Sequence, residues 1–351
     1  MPLVDISKAG RPTRRRQGLP PVERVLVTDD QVTASFELAE VWQRQYPEDA
    51  RRLNWMLNEV LTPLREAPVN PKKTEIADPE ALTRHIKEYA LELGADDVGI
   101  AEYRPEFTFA DAEVLPHTRV VAFAIAMKYD VMADIGPDSQ HEVHRVYFKM
   151  LDVGVRLAEY IGSYGYQATA HPNRGDLAHI PYAYLAGLGE LGKHGSLISP
   201  RLGSSFRLSL VSTDLPLVID GPQDYGIEDM CAHCNICTRF CPADAIKPEQ
   251  KTVKGVTRWY VDTEACFPVF QSLGGCKICL MVCPFNGRSG NKDAYKEMGR
   301  ELNKAKTREG LLSLFAQTTP YARANPVLSP YVDPGGQPEP RAAEDVRRGI
   351  S

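Results

Sequence analysis

Cys231-Ala-His-Cys234-Asn-Ile-Cys237-Thr-Arg-Phe-Cys241-Pro242 is the stretch of this chain that constrains its fold most. Three cysteines stand at C-x2-C spacing, a fourth follows after x3, and a proline closes the run, which is the C-x2-C-x2-C-x3-C-P pattern that holds [4Fe–4S] clusters. Tight C-x2-C turns let neighbouring thiolates reach separate irons of one cube. The proline turns the chain away, so the last cysteine reaches a second cube. Downstream stands Cys266 and then, after nine residues, Cys276-Lys-Ile-Cys279-Leu-Met-Val-Cys283-Pro284. By the same crossed logic Cys231, Cys234, Cys237 and Cys283 hold one cluster, and Cys241, Cys266, Cys276 and Cys279 hold the other.

Other uses of eight cysteines explain less. A disulfide framework belongs to small secreted chains, whereas this one has 351 residues. Zinc takes C-x2-C pairs but does not need an x3-C-P ending, and both groups carry one. His233 reads as an exposed loop residue, because four thiolates already complete each cube. Thiolate clusters suit a reducing compartment. The run Arg14-Arg15-Arg16 is followed by Gln17-Gly-Leu-Pro-Pro-Val-Glu23 and no apolar region, so the expected location is cytoplasmic. A net charge of -5 gives no general drive toward nucleic acid. No apolar run reaches the length of a membrane span, since Val120 to Met127 is followed by Lys128.

The chain divides on composition into an N-terminal extension, 1–75, a layered domain, 76–216, a cluster module, 217–300, and an extended proline-rich tail, 301–351. The extension contains amphipathic stretches around Trp42 and Trp55. A helix is well marked at the start of the second region: Asp78 is the N-cap, Pro79 the first helical residue, Leu82, Ile86, Tyr89 and Leu93 one apolar face, and Gly94 the stop. A strand is expected from Asp97 to Tyr103, a buried central strand from Val120 to Tyr129, and a long helix from His141 to Tyr164. Ser196 to Thr213 is expected to form a hairpin bent at Gly203. Alternating helices and buried strands point to an α/β or α+β layered domain.

Gly187-Leu-Gly189-Glu-Leu-Gly192-Lys193-His194-Gly195-Ser196 is the second unusual stretch. Glycines let backbone approach a large ligand, as in phosphate loops; equally, they let a loop close on itself. The G-x-G-x-x-G letters from Gly187 follow a helical pattern rather than a strand, so they do not make a dinucleotide site.

Ile180-Pro-Tyr-Ala-Tyr-Leu-Ala-Gly-Leu-Gly-Glu-Leu-Gly-Lys-His-Gly-Ser-Leu-Ile-Ser-Pro-Arg-Leu-Gly-Ser-Ser-Phe-Arg-Leu208, with Thr213-Asp-Leu-Pro-Leu217, Gly94-Ala-Asp-Asp-Val-Gly-Ile-Ala101 and Val282-Cys-Pro-Phe-Asn286, resembles the corrinoid-dependent reductive dehalogenases and, more distantly, the epoxyqueuosine reductases. The resemblance spans about residues 80 to 290. It implies an α+β protein in which a nitroreductase-like α/β domain binds cobalamin beside a two-cluster, ferredoxin-like module, with Gly187, Gly189, Gly192, Lys193, His194, Gly195 and Ser196 as cofactor-binding residues. It implies an oxidoreductase that expels halide from an organohalide, aromatic ones included. Catalytic roles fall by match to Tyr147, Arg207 and Asn173. A phenol of pKa near 10 is a poor acid at neutral pH, and a cation within about 4–6 Å stabilises the phenolate it leaves, which Arg207 could provide. On its own residues Tyr147 reads equally as a core tyrosine, Arg207 as a surface strand residue and Asn173 as a turn residue.

The expected electron donor is an external ferredoxin, flavodoxin or reductase. The resemblance to epoxyqueuosine reductases would imply an Asp-Thr-Gly-Pro segment whose aspartate donates the proton; Asn173-Arg-Gly-Asp176 lies in that region and leaves Asp176 as a poorly matched acid, and the transfer RNA partner is not favoured by the acidic balance. An electron carrier or corrinoid-reactivating protein without its own substrate is the third reading.

Overall fold

A computed structural model describes residues 48–333 apart from 136, 174, 254–255 and 320–321. The arginine run, Trp42, Tyr321 and the prolines from Pro334 onward lie outside the described residues.

The extension enters as helix α1, Glu48–Trp55. Helix α2, Pro79–Glu92, forms as its sequence predicts: the Asp78 side chain accepts from the Ala81 N–H, Pro79 opens the helix, and Gly94 adopts φ +102° beyond its end. Strands β1, Asp97–Glu102, and β2, Arg119–Ala126, pair antiparallel. Helix α3 runs from Pro137 to Ser163. Strand β3, Ala168–His171, helix α4, His179–Leu185, short strands β4, Glu190–Leu191, and β5, Leu197–Ile198, and strand β6, Phe206–Thr213, complete the layered unit.

The main sheet has the order β1-β2-β6-β3, with every pairing antiparallel. Strand side chains alternate between faces. Val121, Phe123 and Ile125 therefore pack under α2 and α3 against Ile86, Met150, Leu151 and Ala158, while Val120, Ala122 and Ala124 face Tyr182 and Ala183 of α4. Residues 65–67 add to the outer side of β3, where Ala170 N–H donates to the Arg65 carbonyl at 2.8 Å and Ala67 N–H to Ala168 at 3.2 Å. The extension thus covers an otherwise open sheet edge.

The hairpin expected over Ser196 to Thr213 does not form. β5 pairs back to β4, a tight turn joins Ser199 to Gly203, and β6 instead lies between β2 and β3. Gly203 has φ +69°, and a Cβ there would stand 2.5 Å from Oδ1 of Asn286, so the turn is shaped by the cluster module packed against it.

The module contains α5, Ile227–His233, α6, Ile236–Phe240, the hairpin β7, Ile246–Val253, and β8, Val256–Val261, then α7, Thr263–Ser272, and α8, Ile278–Met281. The expected tail also needs correction over its first part. Helix α9, Lys292–Ala305, runs across the 300/301 boundary, and α10, Arg308–Thr318, follows it; Met298, Leu302, Leu311, Leu312 and Phe315 share one core with Cys237, Phe240, Cys241, Ile278 and Val282. Its prolines sit beyond these helices, so composition hid the apolar spacing before them.

His117 and His171 bracket Ser212 on β6, their ring nitrogens 2.7 and 2.8 Å from its Oγ. Burial pushes the His117 pKa down from 6.5 to about 4. A base whose folded pKa is depressed contributes stability above its unfolded pKa and loses it as pH falls, because only the unfolded chain then takes the proton. The melting temperature of the native protein is expected to fall by several degrees between pH 6.5 and pH 4, and by less in His117→Asn, as followed by differential scanning fluorimetry.

Candidate active site and cluster cage

The cysteines gather as the spacing predicts. Cys231 sits on α5, Cys234 caps it, Cys237 lies on α6 and Cys283 follows α8. All four line one pocket, with Lys193 and His194 in its wall. Burial pushes the Cys237 thiol up to about 12, aided by repulsion from Cys234 and Cys231. Cys283 is likewise pushed up to about 12 by burial and feels Cys231 and Cys237. The other four form a second set: burial pushes Cys276 up to about 12 with contributions from Cys266 and Cys241, and Cys279 is raised by burial and by Cys276, Cys237, Cys241 and Cys266. The Cys279–Cys237 interaction links the sets.

Clustered, buried thiols that repel one another as thiolates fit a polycationic iron–sulfur core, whose binding drives their deprotonation. Among the described residues no three His, Cys, Asp or Glu side chains converge on a single ion. A cube asks for a wider set, because each thiolate reaches its own iron. His233 is exposed at the end of α5, its Nδ1 donating to the Asp229 carbonyl at 3.0 Å.

The glycine-rich stretch is the β4–β5 hairpin. Gly195 N–H donates to Gly192 at 2.9 Å, and Gly192 N–H to Ser196 at 2.8 Å. A Cβ on Gly189 would meet the Ile198 carbonyl at 2.1 Å, and one on Gly192 the His194 ring at 2.9 Å. Both close approaches are made within the protein's own hairpin, so neither position has room for a side chain. The turn instead carries Lys193 and His194 to the first cysteine set, and Ser196 supplies the N–H that His194 Nδ1 accepts at 3.2 Å.

Tyr147 on α3 and Arg207 on β6 meet, with the guanidinium carbon 5.2 Å from the Tyr147 ring centroid. Both are half-buried, and the buried Nε of Arg207 has no hydrogen-bond partner among the described residues. Sheet register sets Arg207 opposite Ile125, near the end of β2. His144, one helical turn before Tyr147, stacks edge-on to it at 6.3 Å and donates from Nδ1 to the Gln140 carbonyl at 2.7 Å. Burial lowers the His144 pKa, and Arg207 lowers it further.

Lys277, between Cys276 and Cys279 in the chain, is 4% exposed and donates to Ser139 Oγ near the start of α3 at 2.7 Å. Burial pulls its pKa down to about 8, with Arg207 acting in the same direction. A Cβ on Gly275 would stand 2.6 Å from the Gln140 amide nitrogen. The second cysteine set is therefore seated against the helix that carries Tyr147. Asn286 completes the junction: fully buried, it accepts from Ser204 N–H at 3.1 Å and donates to the Leu280 and Cys283 carbonyls at 2.8 and 3.1 Å.

Asn173 is exposed in the turn after β3, and no hydrogen bond joins it to Tyr147 or Arg207 among the described residues. Asp176 pairs with buried Arg65 at 2.8 Å. His144, Lys277 and Asn286 were missed as functional candidates. His144 stands at i−3 to Tyr147 on a helix already marked, and Lys277 lies inside a cysteine motif, so both had a positional signal.

A model of the 4Fe-4S dicluster domain matches residues 230–287. The tetrachloroethene reductive dehalogenase of Sulfurospirillum multivorans is 28% identical over 259 residues, covering 60% of this chain and 51% of that protein. The trichloroethene reductive dehalogenase of Dehalococcoides mccartyi is 34% identical over 149 residues, covering 40% and 26%. The chain is homologous to reductive dehalogenases. It spans about half the length of the first of these relatives. The fold is similar to that of a solved catabolic reductive dehalogenase, with a TM-score of 0.65 at 24% identity over 84% of this chain and 49% of that one. The epoxyqueuosine reductase of Salmonella typhimurium is 27% identical over 291 residues, 68% of this chain and 72% of that enzyme. Among the described residues no helix is long and apolar enough to cross a membrane.

Proposed function

We propose that this chain is a cytoplasmic reductive dehalogenase that replaces halide on an organohalide, aromatic ones included, by hydrogen, using electrons carried through two [4Fe–4S] clusters. The observation that carries the reading is the Tyr147–Arg207 contact at 5.2 Å, placed beside a cysteine module that can deliver electrons. Carbon–halogen reduction consumes two electrons and one proton and releases halide, so the site must supply a proton at a defined atom.

Tyr147 Oη is the proposed donor. Arg207 offsets the negative charge left on that oxygen, and its unsatisfied Nε offers a further donor to a bound ligand. His144 holds the rim of the tyrosine ring and, kept neutral by burial and by Arg207, adds no competing positive charge. A bound corrinoid, implied with a nitroreductase-like domain by the sequence resemblance to corrinoid-dependent dehalogenases, would supply the reduced metal centre for the halogenated carbon.

The contacts of Gly275 with Gln140 and of Lys277 with Ser139 support the second cluster as the last station before the site. Ser139 and Tyr147 are eight residues apart on α3, about 12 Å along its axis. The first cluster then receives electrons from an external ferredoxin, flavodoxin or reductase. Neither alternative gains from a specific contact. Asp176 is held by Arg65 at 2.8 Å, and a plain carrier has no use for the Tyr147–Arg207 pair.

The anaerobic protein, supplied with a low-potential reductant and a halogenated phenol, is expected to release halide in proportion to dehalogenated product. Activity on epoxyqueuosine-containing transfer RNA without halide release from organohalides would overturn the proposal.

A further inference from the structure

We infer that Lys193 and His194 set the reduction potential of the first cluster, His194 by donating Nε2–H to a cluster or cysteine sulfur and Lys193 by holding a buried positive charge beside it. This rests on the two-cluster reading above. Both residues line the cavity formed by Cys231, Cys234, Cys237 and Cys283.

The His194 ring is oriented from one side only. Nδ1 accepts from the Ser196 N–H at 3.2 Å, which leaves the proton of the neutral ring on Nε2. That nitrogen is buried with no partner among the described residues, in a residue 7% exposed. A buried N–H donor left unmatched is costly, and the cavity it borders is where sulfur acceptors are expected. Gly192 has no side chain where this ring lies, which ties the glycine pattern to the placement of His194.

Lys193 is 1% exposed. Its Nζ donates to Asn235 Oδ1 at 2.9 Å and lies 4.6 Å from the Trp259 ring centroid. Among the described residues no carboxylate forms an ion pair with it. The nearby Glu190 is already engaged, its Oε2 accepting from the Tyr225 and Ile227 N–H groups at 2.8 and 2.9 Å. The backbone N–H of Lys193 bonds the Cys231 thiol, and its charge acts on Cys231 and Cys237. Reducing a cube adds one negative charge, so a fixed cation and an N–H donor both favour the reduced form.

The test is an EPR-monitored redox titration of the full chain, purified anaerobically with its clusters, in native form and as Lys193→Met, Lys193→Arg and His194→Phe. At a fixed solution potential, the reduced-to-oxidised ratio of one cluster is expected to fall about tenfold in Lys193→Met and to shift the same way in His194→Phe. Lys193→Arg should stay close to native, and the other cluster should be unmoved throughout. The native protein offers a check independent of variant folding: transfer to D2O should remove a hyperfine-coupled proton from the reduced first cluster. Unmoved potentials with about eight irons retained, or no exchangeable coupled proton, would overturn the inference and leave the two-cluster reading standing. About four irons in the native chain would overturn both.

Discussion

Cys283→Ala protein, prepared anaerobically, is expected to carry about half the iron of the native chain and to lose the same EPR signal as Cys231→Ala. In sequence Cys283 lies beside Cys279 and far from Cys231. In space its thiol closes the cavity lined by Cys231, Cys234 and Cys237, and its strongest thiol neighbours are Cys231 and Cys237. Pro284 and the Asn286 hydrogen bonds to Cys283 and Ser204 turn the chain back at that point. Cys279→Ala should remove the other signal together with Cys241→Ala, because Cys279 feels Cys276, Cys241 and Cys266. Since α9 and α10 pack on the same core as Cys237 and Cys241, loss of a cluster should also lower the unfolding temperature. If Cys283→Ala and Cys279→Ala lost one and the same signal, the crossed ligand assignment would be wrong.

Tyr147→Phe should reduce halide release by about 10²–10⁴-fold, the usual contribution of a positioned proton donor, with iron content unchanged. The phenylalanine keeps the ring against Arg207 and His144, so packing is largely preserved and only the proton is lost. Arg207→Met should also impair the reaction, because the negative charge left after proton transfer then stands in a half-buried site without its cation. Steady-state halide release with a halogenated phenol checks both. Native rates in Tyr147→Phe would remove Tyr147 from the chemistry and return it to a core residue of α3.

The parts of the fold legible from sequence were those set by local chemistry. The cap and stop of α2 are written in Asp78, Pro79 and Gly94, and the apolar run of β2 marks a strand covered on both faces. The eight cysteines carry the module by spacing alone. Features that depend on long-range pairing were not legible. Ser196 to Thr213 has hairpin-like alternation, yet β6 is drawn into the centre of the sheet and leaves β5 to β4. The glycines of 187–195 suit a self-closing turn more readily than a ligand cradle in sequence; the Ile198 carbonyl beside Gly189 and the His194 ring beside Gly192 are placements that the letters do not show. Residues 301–333 lost their helices to an overall impression of proline, although Leu311, Leu312 and Phe315 stand at helical spacing within α10.

Joint analysis of iron and corrinoid in one anaerobic preparation of the full chain tests the whole proposal most directly. The account expects about eight irons and about one corrinoid per chain, with both cluster signals reducible by a low-potential donor. Full iron with no corrinoid retained or taken up on reconstitution would contradict it and leave an electron carrier in its place.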